Sequence, residues 1–233
     1  MCLTCYTIDR RRFLALSASA TLFGGAAHAR AAGTGTSLTP DEALRKLKEG
    51  NEKFLSAPAL CAQDLGRQRA AVAPSQAPWA TILTCADSRV APELIFGGVG
   101  LGELFVARNA GNVADTAVMG TIEYGAEHLG SPLIVVMGHQ RCGAIAAATD
   151  VATKHAKLPG SMGPMVDAMV PAVKAVLTRP GDLVDNAVLE NALRQAAKIR
   201  SKSMIVHEME EHGKVKVVHA VYSLDTGAVT FLT

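Results

Sequence analysis

The chain has 233 residues, 49% of them apolar and 19% charged, with 21 Gly, 10 Pro and a single Trp. This balance excludes a disordered chain, and the length suits one α/β domain. A formal charge of +2 with dispersed Lys and Arg excludes the broad cationic face that a nucleic acid partner requires.

At the amino end, Arg10, Arg11, Arg12, Phe13 and Leu14 precede a weakly apolar run from Ala15 to Ala27, and Ala27-His28-Ala29 gives an A-x-A cleavage pattern. The arginine pair followed by x-Phe-Leu resembles a twin-arginine signal, which carries folded proteins across the membrane. Residues 1–31 therefore read as an export signal, 32–38 as a linker, and 39–233 as one α/β domain with an N-terminal helical arm. The implied location is periplasmic or secreted. Gly24 and Gly25 interrupt an apolar run already too short for a stable membrane anchor.

Thr39, Pro40 and Glu42 supply an N-cap, a first-turn proline and a capping-box glutamate, and Leu44, Leu47, Phe54 and Leu55 continue a helical stripe that Pro58 stops. Short apolar runs suited to buried parallel strands follow at Trp79–Thr84, Leu104–Ala107, Leu133–Met137 and Val215–Tyr222. Between them, Val118, Ile122 and Leu129 mark one helical face. The segment from Thr149 to Lys202 reads as two or three helices with turns at Leu158–Gly163 and Arg179–Gly181. Asp225-Thr226-Gly227 turns the chain into a last strand, Val229–Leu232. The expected fold is α/β: a mainly parallel central sheet of about four strands plus an antiparallel edge strand, with helices on both faces.

Two strand ends carry reactive residues. Cys85-Ala86-Asp87-Ser88-Arg89 follows the first strand, and Gly138-His139-Gln140-Arg141-Cys142-Gly143 follows the third. In a parallel sheet the carboxyl ends of strands line the ligand crevice. Two Cys and one His delivered to that edge are zinc's preferred donors, and three protein ligands describe a catalytic site whose fourth position opens. Of the five cysteines, Cys2 and Cys5 leave with the signal, and Cys61 reads as a plain thiol. Gly97, Gly98, Gly100 and Gly102 precede a strand rather than joining a strand to a helix, so they read as a turn and not a phosphate loop. His128, His155, His207, His212 and His219 have no ligand spacing with Cys85.

The blocks CADSRVAPELIF, ELFVARNAGN, GTIEYGAEHLG and GHQRCGA resemble successive blocks of the β-class carbonic anhydrases, over about Thr39 to Leu232. The resemblance implies that Cys85, His139 and Cys142 hold one zinc ion per chain and that Asp87 and Arg89 form a pair beside it. It implies attack of zinc-bound hydroxide on CO2 to give bicarbonate, a pocket that includes Gln76, Phe105 and Tyr124, and a homodimer or larger homo-oligomer with the N-terminal helix laid over the neighbour. One subclass closes its site by swinging the Asp onto zinc, with bicarbonate bound beside a Trp, an Arg and a Tyr. Here Ile82 stands where that Trp would be, although Arg108 and Tyr222 match the other two, and Gln76 resembles the always-open (type I) subclass. Hydrolysis of carbonyl sulfide or carbon disulfide at the same zinc stays open as an alternative. So does a non-catalytic zinc scaffold, against which the retained Asp87 and Arg89 stand.

Overall fold

The computed structural model describes residues 35–57 and 65–232. The expected export signal, Cys2, Cys5 and Cys61 lie outside the described residues, as does Pro58. Along the chain come α1 (Pro40–Ser56), α2 (Leu65–Val72), β1 (Ala80–Cys85), α3 (Pro92–Ile95), β2 (Leu104–Asn109), α4 (Thr116–Glu127) and β3 (Leu133–His139). Then follow α5 (Gly143–Lys154), α6 (Met162–Asp167), α7 (Val170–Ala175), α8 (Leu183–Lys202), α9 (Met204–Glu211), β4 (Lys216–Tyr222) and β5 (Val229–Leu232).

The strands form one sheet in the order β2-β1-β3-β4-β5, parallel except for the β4–β5 pair. This is the expected architecture. Every residue of β1 and β3 is buried, which is why both read as unbroken apolar runs rather than alternating ones. Alternation appears instead in which face each side chain serves. Ile82, Val135, Met137, Val218 and Ala220 pack with Ala43, Leu44 and Leu47 of α1, while Leu83, Ile134, Val136 and Val217 pack with α4, α8 and α9 through Ile122, Ala192, Ala196, Ile199 and Val206. A third cluster, under the carboxyl ends of β1 and β3, joins Cys85 and Cys142 to Ile145, Met169, Val173 and Val188.

The first helix forms as its capping box dictates: Thr39 Oγ1 accepts from the Glu42 amide at 3.3 Å, and the Glu42 carboxylate accepts from the Thr39 amide at 2.8 Å. It packs on its own chain. Asn51 is buried there, donating to Ile95 O and Gly227 O and accepting from the Val229 amide. The segment from Thr149 to Lys202 holds three whole helices, α6, α7 and α8, as expected, together with the end of α5, which starts earlier at Gly143 behind its N-cap Cys142. The short α2, α3 and α9 lie outside the expected set. Among the described residues no helix is long and apolar enough to cross a membrane.

Candidate metal centre

The strand ladder carries the reactive residues further than their apolar runs. Cys85 pairs in register with Asn109 at the end of β1, and His139 pairs with Tyr222 at the end of β3. Cys142 caps α5. One ligand atom from each of Cys85, His139 and Cys142 lies within 4.8 Å of the others, and all three residues are buried. No other such group occurs among the described residues.

The donors are poised for a cation. His139 Nδ1 lies 2.9 Å from Gln140 O, which assigns the ring proton to Nδ1 and leaves the lone pair on Nε2. Nε2 is fully buried and has no hydrogen-bond partner. Such an orphan is costly unless something the protein binds satisfies it. The two sulfurs stand 3.9 Å apart. Hydrogen bonding from Cys142 holds the Cys85 thiol down at about 4, against its burial and with help from His139 and the Gly111 and Asp87 amides. The same contact, with burial, holds Cys142 up. Two buried sulfurs that compete for one proton, facing an unpaired imidazole nitrogen, match the donor set zinc takes, and the residues fit that ion.

Asp87 leaves the end of β1 and turns back toward the cluster, with Oδ2 3.8 Å from His139 Nε2. Arg89 holds it from the other side. Its Nε donates to Oδ1 at 2.9 Å, Nη2 to Oδ2 at 2.7 Å, and its amide to Oδ1 at 2.9 Å. The side-chain contact with Arg89 keeps the Asp87 carboxyl far below the usual carboxylate range despite partial burial.

Residues far from this loop in sequence brace it. Arg108, on the neighbouring strand, donates through Nε to Cys85 O at 3.1 Å and through Nη2 to Asp87 O at 2.7 Å, fixing both peptides that flank Ala86. Ile82 is a fully buried core side chain. The Gly111 amide points at Cys85 Sγ from 3.4 Å. Only glycine fits there, because φ is +80° and a Cβ would stand 2.1 Å from Met169 Sδ. Asn191 Nδ2 accepts no role in the sequence reading, yet it donates to Gly111 O at 2.9 Å, and Gln195 Oε1 accepts from the Ala114 amide at 3.0 Å.

The other expected pocket residues lie elsewhere within one chain. Phe105 pairs with Thr81, four positions before Cys85, so it stands about 13 Å back along the sheet from the ligand end. The Tyr124 ring stacks on it at 6.1 Å between centroids and on His128 at 5.1 Å. Gln76 is exposed ahead of β1. One chain therefore joins Cys85, His139, Cys142, Asp87 and Arg89, and groups Phe105 with Tyr124 at the opposite end. Neither His207 nor His212 approaches the cluster: His207 faces Glu211, and His212 lies against Glu208 O.

The comparisons agree with this geometry. The family model described as Carbonic anhydrase matches residues 80–229. Carbonic anhydrase 2 of Mycobacterium tuberculosis (strain ATCC 25618 / H37Rv) is 40% identical over 191 residues, 81% of this chain and 90% of that protein. The carbonic anhydrase of Mycolicibacterium smegmatis is 34% identical over 194 residues, covering 82% and 92%. Among solved structures, Coccomyxa β-carbonic anhydrase in complex with acetazolamide aligns with a TM-score of 0.63 at 31% identity, over 81% of this chain and 86% of that one. The β-carbonic anhydrase CcaA aligns at 0.64 and 29% identity, over 82% and 95%.

Proposed function

The chain belongs to the β class of the carbonic anhydrase family and catalyses the reversible hydration of carbon dioxide to bicarbonate and a proton; we propose that it does so with one zinc ion held by Cys85, His139 and Cys142, in the always-open arrangement. The observation that carries the assignment is the buried, partnerless Nε2 of His139 facing two sulfurs.

Zinc bound there acidifies water and supplies a nucleophile near neutral pH. The protein's own groups do the rest. Asp87 is held ionised by Arg89, so at neutral pH it accepts hydrogen bonds and does not carry a proton. Its Oδ2 borders the face where the ligand atoms converge, and there it would accept a hydrogen bond from water activated by the ion and so orient it. Arg89 engages both carboxylate oxygens, and that bidentate hold opposes a swing of Asp87 onto the metal. The Nε and Nη2 bonds of Arg108 to the loop backbone and the core position of Ile82 favour the type I reading over the bicarbonate-closed one. Stopped-flow CO2 hydration with zinc measured on the same sample tests this reading. Activity should track zinc content as chelator is added, and full activity in zinc-free protein would contradict it.

The working unit is a homodimer or larger homo-oligomer. Supporting this, Tyr124 is 41% exposed beside Phe105, and Gly120, inside the same helix, has nothing within 4 Å of where a Cβ would be. An interior helical glycine on an open face costs about 1 kcal/mol relative to alanine with no return inside one chain. Close approach by a second copy would supply the return and cover the aromatic pair. Sedimentation of a single species at the mass of one chain would refute it.

The protein is exported to the periplasm or beyond by the signal in residues 1–31. Arg10-Arg11 and Ala27-His28-Ala29 support this, as does the chemistry: thiolates load zinc in a reducing compartment, so a folded, loaded protein suits twin-arginine export. Arg10→Lys with Arg11→Lys should leave the enzyme in the cytoplasmic fraction; unchanged periplasmic activity would refute the signal.

A further inference from the structure

The second ligand loop is held from outside by a contact that neither ligand makes. Arg141 lies between His139 and Cys142 with φ of +52°, a left-handed backbone that favours glycine. Its guanidinium crosses 84 positions of sequence to Asp225, where Nη1 donates to Oδ2 at 2.9 Å and Nη2 to Oδ1 at 2.7 Å. Two further bonds run alongside: the Gln140 amide donates to Tyr222 O at 3.0 Å, and Ser223 Oγ donates to Gln140 Oε1 at 2.9 Å.

Asp225 is itself presented by a fixed turn. Ser223 Oγ accepts from the Thr226 amide, the Gly227 amide donates to Ser223 O at 2.9 Å, and the Ser223 amide donates to Ala228 O at 2.8 Å. Asn51 of the first helix grips the far end of that turn through Gly227 O and the Val229 amide. A Cβ on Gly227 would meet Phe54 at 2.9 Å, so the turn lies directly on the helix. A continuous path of contacts runs from α1 through the β4–β5 turn to the residue that separates two metal ligands.

We propose that Asp225 is a positioning residue for the metal centre: by clasping Arg141 it holds the left-handed turn that sets His139 and Cys142 one step apart on a shared zinc. The inference rests on the zinc reading above. A fork-to-fork pair has a fixed geometry that a single-point contact lacks, and its anchor lies outside the loop it holds. An ordinary surface ion pair, as the half-exposed side chains would otherwise suggest, would leave zinc retention unchanged.

The test is the rate at which zinc-loaded full-length protein gives up its metal to an excess of a chromogenic chelator. Asp225→Asn and Arg141→Gln should each release zinc on the order of fivefold to tenfold faster than the unaltered protein, and cobalt-substituted samples should show shifted ligand-field bands. The exchanged pair Arg141→Asp with Asp225→Arg should bring release back to within about twofold of the original. Each single variant reports from its own side of the contact, so a misfolded Asp225→Asn, detected by circular dichroism, leaves Arg141→Gln to decide. Unaltered protein that takes up no zinc overturns the zinc reading and this inference together. Zinc-bound unaltered protein with unchanged release in the single variants, or an exchanged pair as leaky as the singles, overturns this inference alone.

Discussion

At the carboxyl ends of β1 and β3, three ligand atoms lie buried within 4.8 Å of one another, with Asp87 and Arg89 paired beside them. At the opposite end of the sheet, Phe105 and Tyr124 stack against each other with Tyr124 41% exposed and α4 showing an open glycine. The first region is built by one chain: backbone ladders, the Gly111 amide, Arg108 and the Arg141–Asp225 contact hold its loops, and His139 Nε2, facing the two sulfurs, is left for a cation. The second is open on the surface of one chain, where the proposed assembly would cover it. Metal binding should therefore depend on single-chain residues, and the substrate pocket on assembly.

Removing a ligand breaks the first region outright. Cys142→Ser should lose zinc and CO2 hydration together, to the limit of detection, because only two of the three donors remain and the exchanged oxygen is a poor one. A variant that kept both would place the metal elsewhere. Asp87→Asn should separate binding from turnover: zinc stays at one per chain while hydration falls roughly 10²-fold, since the amide cannot serve as the same charged acceptor and leaves Arg89 unpaired. Loss of zinc in that variant would mean that Asp87 is itself a ligand.

Tyr124→Ala probes the second region. Association between copies should weaken by about tenfold, and hydration should fall at low protein concentration while zinc content holds. Unchanged association and turnover on dilution would show that the aromatic pair serves the fold alone.

The smallest effect concerns Glu103, just ahead of β2. Burial pushes its carboxyl up, but Lys46 at 3.0 Å, the Gly100 amide at 2.7 Å and Trp79 together hold it below its ordinary 4.5. A depressed folded-state value means that its contribution is present above that ordinary value and is lost as pH falls through the lower one. The melting temperature of the original protein should exceed that of Glu103→Gln by a few degrees from pH 6 to 9, with the gap closing in acid as pH falls through the lowered value. A gap that persists in acid would rule out the charge as its source.

The sequence shows one of these regions far better than the other. Val229–Leu232 is found at its expected bounds, and the Thr39 capping box is found as read, because both signals are local. The strands ending in Cys85 and His139 run past their expected ends, since side-chain pattern gives no boundary there whereas the ladder continues through backbone bonds. The ligand set was legible because both segments follow strands of one parallel sheet, whose carboxyl ends must meet. The bracing roles of Arg108, Asn191 and the Arg141–Asp225 contact were not, because each acts across the fold on backbone or on a partner far away in sequence. Phe105 and Tyr124 were legible as a pair but not in their distance from the ligands, which follows from the register of β1 with β2. The short α2 has a single weakly amphipathic turn or two and offers no stripe to read.

The most direct test of the metal assignment is X-ray absorption at the zinc edge on purified enzyme that hydrates CO2. Ligation by Cys85, Cys142 and His139 predicts two sulfur neighbours at about 2.3 Å and lighter nitrogen or oxygen neighbours at about 2.0–2.1 Å. An active enzyme whose zinc has no sulfur neighbours, or which holds no zinc, would contradict it.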